Sequence, residues 1–322
     1  MVFAADPELG ARQSEGGGGS DRGKIEAGFM SRIQPDQVSC VIPYAGAQRY
    51  LREVVRSADQ QGFREIVIVN DGCDPRQLVE VSVNPRVRRI DLPQSVGCPR
   101  ARNIGIRACV SPYIVMLDHD DLLRDGYLEA MLAWVGEGNL RCGAATLRYI
   151  GEDARRVGAV VSRHADFFLP SGFLAEATLY AEAGYFPESC SDDLLFFRAI
   201  RKLTRLTTCP DAGVLYRIHP KAESSLNTHL WWAFTRLLPL YDEGKFTLEE
   251  TNELAREFAT SGVIRPGLEP YLSGVRSSEA RFLGRSAYAC WLNRDLGGVM
   301  KYGVKLLGRV PDLVRIARGK WR

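Results

Sequence analysis

Apolar residues in this chain fall into two patterns that alternate along its first half. Residues 38–45 form a short, β-branched, nearly unbroken apolar run closed by Pro43, the pattern of a buried strand. In residues 47–61, Tyr50, Leu51, Val54, Val55 and Ala58 recur at helical spacing, and Gly62 then stops the helix. A second buried strand, residues 65–73, runs into a turn at Asp71 and Gly72. Residues 87–92 read as a shorter strand, 101–109 as a helix, 111–121 as a strand entering a cluster of acids, and 126–137 as a helix. Strands alternating with helices at short spacing predict an α/β fold with a mostly parallel sheet flanked by helices. In such sheets ligands gather beyond the carboxyl ends of the strands. Three predicted strands end in polar residues there: Tyr44, Asp71, and Asp118 to Asp121.

From about residue 228 the pattern becomes mainly helical, over 230–241, 247–262 and 279–294. Residues 1–35 hold a glycine run and few aromatics, which predicts disorder. The expected organisation is a disordered segment (1–35), a catalytic domain (36–226) and a helical C-terminal region (227–322).

Composition narrows the function. The net charge of +3 over 322 residues is too small to argue for a nucleic-acid partner. Eight cysteines contain no C-x-x-C pair, which argues against structural zinc and for reduced thiols in a cytoplasmic protein. No apolar stretch reaches the ~18 residues that span a bilayer, and no signal pattern opens the chain. Residues 298–322 are basic and amphipathic. They are open to two readings: a helix on the inner membrane surface, or a helix packed on the catalytic domain.

The candidate chemistry lies in the polar ends of the runs. Asp118, Asp120 and Asp121 crowd three carboxylates into four residues, a repulsion that a cation relieves. If the segment is extended, Asp118 and Asp120 share a face and suit Mg2+ or Mn2+ completed by water and phosphate. A solvated acidic turn is the bland alternative. Asp71 could accept a hydrogen bond from a nucleotide base or ribose. Gly97 and Pro99 precede a helix with Arg100 and Arg102 in its first turn, a setting that attracts phosphate. Ser191 reads as an N-cap with Asp192 and Asp193 in the first turn, so capping alone explains these acids; the functional alternative makes Asp193 a general base. His219 could ligate a metal and Arg217 could meet a diphosphate. Residues 167–173, with Phe173 at their end, could form an acceptor wall or ordinary core.

Taken in order, residues 41–45, 69–73, 97–106, 115–121, 184–198 and 216–225 resemble the family 2 glycosyltransferases of the GT-A fold, over about residues 36–226. The resemblance implies a Rossmann-like catalytic domain, a nucleotide-sugar donor, commonly a UDP-sugar, and transfer with inversion to a glycan, lipid-linked or protein hydroxyl. It implies donor contacts from Pro43, Tyr44, Asp71, Arg102, Asp118 and Arg217, and a metal held by Asp118 and Asp120 with His219. Asp193 would be the base and Asp192 an acceptor contact. The chain departs from the family pattern in three places, one of them His119, which is not the commonest residue between the metal acids. Asp192-Asp193 replaces the family's Glu-Asp pair, and the first strand ends in Tyr44-Ala45-Gly46. The last two departures leave room for a silent relative that binds nucleotide sugars without turnover. A nucleotide-sugar pyrophosphorylase is disfavoured because no glycine-rich basic loop follows the first strand, and an oxidoreductase because no G-x-G-x-x-G does.

Overall fold

The computed structural model describes residues 33–46, 48–151, 160–161, 168–219 and 228–273. Most of the 1–35 segment, the helix expected at 279–294 and the basic tail at 298–322 lie outside these residues, as do Phe167 and residues 220–225.

The expected alternation is present. In order come β1 (Val38–Tyr44), α1 (Gln48–Asp59), β2 (Glu65–Asn70), β3 (Val87–Asp91), α2 (Cys98–Ala108), β4 (Tyr113–Met116), β5 (Leu122–Leu123) and α3 (Tyr127–Glu137). Then follow β6 (Cys142–Gly151), β7 (Val160–Val161), β8 (Phe173–Glu176), α4 (Ala177–Glu182), α5 (Asp192–Leu203) and β9 (Thr208–Ile218). Helices α6 (Thr228–Asp242), α7 (Leu248–Ser261) and α8 (Glu269–Leu272) come after the sheet.

All strands join one sheet in the order β3-β2-β1-β4-β8-β6-β9-β5, with β7 on β6. The block β3-β2-β1-β4 is parallel throughout. Strand β8 runs antiparallel between β4 and β6, β9 is again parallel to β6, and β5 closes the far edge antiparallel to β9. Parallel strands covered on both faces need apolar residues in both registers. Strand β1 shows this, with all seven residues buried. Val38, Cys40, Ile42 and Tyr44 pack on one face with Val54 of α1 and Met131 of α3. Val41 packs on the other with Ala101 of α2 and Phe196 of α5.

A third cluster joins Phe234 and Leu237 of α6 to Leu254 and Phe258 of α7, with Leu195 of α5 packed against it. Helix α7 opens with a reciprocal capping box between Thr247 and Glu250 and ends at Gly262 in the left-handed region. The helical pair therefore rests directly on the helix that carries Asp192 and Asp193.

Candidate active site

Strand β4 ends at Met116, and residues 118–121 form a turn in which the Asp121 amide donates to the Asp118 carbonyl at 3.2 Å. This corrects the expectation that Asp118 and Asp120 share one face of an extended segment. The period of two lapses once the chain turns, and the three carboxylates go three ways. Asp118 Oδ1 accepts from Arg102 Nη2 at 2.8 Å. Asp120 Oδ2 lies 2.9 Å from His219 Nε2. Asp121 turns inward, where its Oδ1 accepts the Arg217 amide at 2.8 Å. Burial, then the charges of Asp120 and Asp118, push the Asp121 carboxyl well above the usual range. Asp121 thus ties the turn to β9 through one of its carboxylate oxygens.

Arg102 was expected at the donor phosphates, and in the structure it joins acids. Its Nη1 donates to Asp192 Oδ2 at 2.7 Å while Nη2 holds Asp118. The guanidinium is buried and lies 5.3 Å from the centre of the Phe186 ring. The planar fork suits this double bridge. Its neighbour Asn103, to which the sequence assigned no role, clasps the Phe186 backbone both ways. Asn103 Nδ2 donates to the Phe186 carbonyl at 2.7 Å, and the Phe186 amide donates to Asn103 Oδ1 at 2.9 Å. Adjacent residues of α2 thereby fix the entry to the loop before α5 and the first acid of α5 itself.

Asp71 is an internal anion. Its carboxylate accepts from the Val96 amide at 2.6 Å, the Ser95 hydroxyl at 2.8 Å and the Gly97 amide at 3.1 Å. It organises the loop ahead of α2, where phosphate was expected. Gly72 permits the arrangement: at φ +74°, a Cβ there would sit 2.3 Å from the Ser95 nitrogen. Asn70 holds the same turn through the Cys73 backbone and Asp91.

At the start of α5, Ser191 occupies the N-cap position, but its side chain makes no cap bond. The Asp193 carboxylate accepts the Leu194 amide at 2.7 Å. Burial, then the Asp192 charge, push Asp193 up to about 6, inside the range where a carboxylate serves as a base at neutral pH. Asp192 is also raised, because burial outweighs its bond to Arg102. The loop before α5 is latched from the C-terminal helices. Asn252 of α7 accepts from Ser189 Oγ at 3.0 Å and from the Cys190 amide at 3.2 Å, and donates to the Glu188 carbonyl at 3.3 Å.

Two expected ligand contacts are corrected. The Tyr44 side chain is fully buried and its hydroxyl donates to Gln77 Oε1 at 2.7 Å, so it faces the core. Desolvation in that core carries the phenol up to about 12. Phe173 is fully buried among Tyr180, Phe196 and Phe197, so it is core and not acceptor wall. The Pro43 carbonyl lies 3.0 Å from His119 Nδ1, tying the end of β1 to the acid turn. Arg217 donates from Nε to the Asp120 carbonyl and from Nη2 to Glu53, each at 2.8 Å, and lies over the Tyr50 ring.

Asp120 and His219 could hold a divalent cation, which would take the place of the 2.9 Å contact they now make with each other. Asp120 and His219 present an oxygen and a nitrogen side by side, and two protein ligands suffice where water and substrate phosphates complete the shell. His219 is buried, and its Nδ1 has no partner among the described residues. Among the described residues no three His, Cys, Asp or Glu side chains converge as a cation cage, because Asp118 is turned to Arg102.

Comparison with known proteins supports the fold. The fold matches the crystal structure of S. aureus TarS residues 1–349 in complex with UDP-GlcNAc, with a TM-score of 0.53 at 16% identity over 81% of this chain and 88% of that one. The succinoglycan biosynthesis protein ExoO of Rhizobium meliloti is 31% identical over 124 residues, 38% of this chain and 36% of the relative. An uncharacterized glycosyltransferase of Haemophilus influenzae is 21% identical over 221 residues, 60% of this chain and 68% of the relative. For the first three curated relatives, the match spans 36%, 23% and 44% of their length. Residues 39–186 match the model of glycosyl transferase family 2. That stretch, just under half of the chain, carries the strand ends, the acid turn and the Arg102–Asn103 pair, and over it the chain is similar to glycosyl transferase family 2.

Proposed function

We propose that this protein transfers a sugar from a nucleoside diphosphate donor to a hydroxyl acceptor in one inverting displacement. The observation that carries this reading is the Arg102 bridge, which draws the acid turn after β4 and the first turn of α5 into one site. Asp193, with its carboxyl pushed up to about 6, is the base. It takes the acceptor proton as the acceptor oxygen bonds to the anomeric carbon and the bond to the diphosphate oxygen breaks on the opposite face. General-base help of this kind contributes about 10²–10⁴ in rate. Asp120 and His219 would hold a Mn2+ or Mg2+, which would supply charge compensation for the leaving diphosphate. Asp192, anchored by Arg102, orients the acceptor end. Uridine as the donor base draws support from TarS, which shares the fold and was captured with UDP-GlcNAc.

A panel of nucleotide sugars tests the proposal. UDP-sugars with Mn2+ should raise the melting temperature, and chelator should abolish the rise. Under the same conditions the wild-type enzyme should transfer or hydrolyse the preferred donor. One observation favours the rival, a relative that binds donor without turnover: Asp118 is engaged by Arg102 and not turned toward His219. Tight cation-dependent nucleotide binding with no turnover of any donor would decide for that rival.

A further inference from the structure

A cleft of about 500 Å³ lies between α1, β5 and the β6–β9 pair. Arginines from three elements line it: Arg56 of α1, Arg124 just after β5, and Arg148 of β6. No acidic side chain among the described residues pairs with any of the three. Two acids also line the cleft, Glu53 and Asp125, but Glu53 is already neutralised by Arg217. The cleft is therefore basic, with three guanidiniums against one free carboxylate.

Arg124 is seated. Its backbone amide donates to the Gly213 carbonyl at 3.0 Å, and its own carbonyl accepts from Gln61 Nε2 at 3.1 Å. Its aliphatic stem lies over Gly213, where a Cβ would come within 2.5 Å of the Arg124 Cδ. A bare backbone on β9 is what lets this arginine lie across the strand. The cleft adjoins the acid turn, since Leu122 lines it one residue after Asp121. Arg217 forms the partition, spanning from the Asp120 carbonyl to Glu53.

We infer that this cleft binds a phosphate group carried on the acceptor, outside the donor site. Planar guanidiniums from three directions match phosphate oxygens and are poorly suited to a neutral sugar. Assigning the phosphate to the acceptor rests on the glycosyltransferase reading; the phosphate site itself does not.

The test uses the full chain and tripolyphosphate as probe, by calorimetry in low salt with the donor site saturated by UDP and Mn2+. Wild type should bind, with affinity falling as salt rises. Arg56→Gln, Arg124→Gln and Arg148→Gln combined should weaken binding at least tenfold, while UDP binding on the same samples stays unchanged. Equal binding by wild type and the triple variant would overturn the inference, as would loss of wild-type binding on UDP saturation, which assigns the probe to the donor site. Vesicles containing phosphatidylglycerol form the second arm. Arginine-dependent vesicle capture without tripolyphosphate binding assigns the phosphate to a lipid headgroup, tripolyphosphate binding without capture assigns it to a soluble chain, and neither in wild type overturns the inference. Failure of the glycosyltransferase reading appears separately, as absent UDP binding or absent turnover.

Discussion

Asp193 carries an electrostatic cost that its proposed task explains. Its folded-state value of about 6 stands above the unfolded value of 3.8, so the folded protein binds more protons between these limits. The carboxylate therefore destabilises the fold above about pH 6, and the penalty is relieved as pH falls toward the unfolded value. Asp193→Asn keeps an acceptor for the Leu194 amide and removes the charge. We predict a melting temperature about 3 °C higher at pH 7–8, nucleotide binding unchanged, and turnover down at least about 10²-fold. Normal turnover in this variant would sink the assignment of the base. Wild-type kcat/KM should fall about tenfold per pH unit below about 6, because the base must be unprotonated to accept. Arg102 is different in kind, since removing it strands two partly buried carboxylates. Arg102→Ala should cost about 3–5 kcal/mol in denaturant unfolding, and Arg102→Lys should recover only part of that because an ammonium lacks the fork.

Among the elements, the latch from α7 makes the C-terminal helices part of the site. Asn252→Ala frees the Ser189 hydroxyl and the Cys190 amide and loosens the start of α5. Steady-state kinetics should show kcat about tenfold lower with donor KM unchanged, since misplacing a reacting group costs rate before it costs binding. Asn252→Asp retains the accepting oxygen and should recover most of the rate; no change in kcat for the alanine variant would exclude the latch.

In the parallel half of the fold, β1, β2 and β4 were legible because they are buried on both faces and read as near-continuous apolar runs. Strands β6, β8 and β9 were not, because β6 mixes Thr146 and Arg148 with apolar residues and β9 opens with Pro210 and Asp211. Their place in the sheet depends on distant partners and not on local pattern. The acids of the site were legible as residue types at strand ends. Their directions were not, because a turn at 118–121 and an arginine 16 positions away decide them. Asn103 left no signal at all: a lone amide inside a helix gives no hint that it clasps a backbone 83 positions on.

For the molecule as a whole, donor, cation and stability should be linked. A ligand that binds only the folded state at 100 times its dissociation constant adds about 2.7 kcal/mol. UDP with Mn2+ should therefore raise the melting temperature by several degrees. His219→Ala should reduce that rise more than it lowers the melting temperature of the free protein; an undiminished rise would remove His219 from the cation site.

The sheet order also sets how firmly the acid turn is anchored at each side. Strand β4 lies inside the sheet with a neighbour on both flanks, while β5 is two residues long and lies at the border. In deuterated buffer the amides of β4 should be among the last to exchange and those of β5 among the first. The turn between them is thus moored by the sheet interior on the Asp118 side, and on the Asp121 side by the bond from the Arg217 amide. Early exchange at Leu122 and Leu123 would report the loosening of that second mooring.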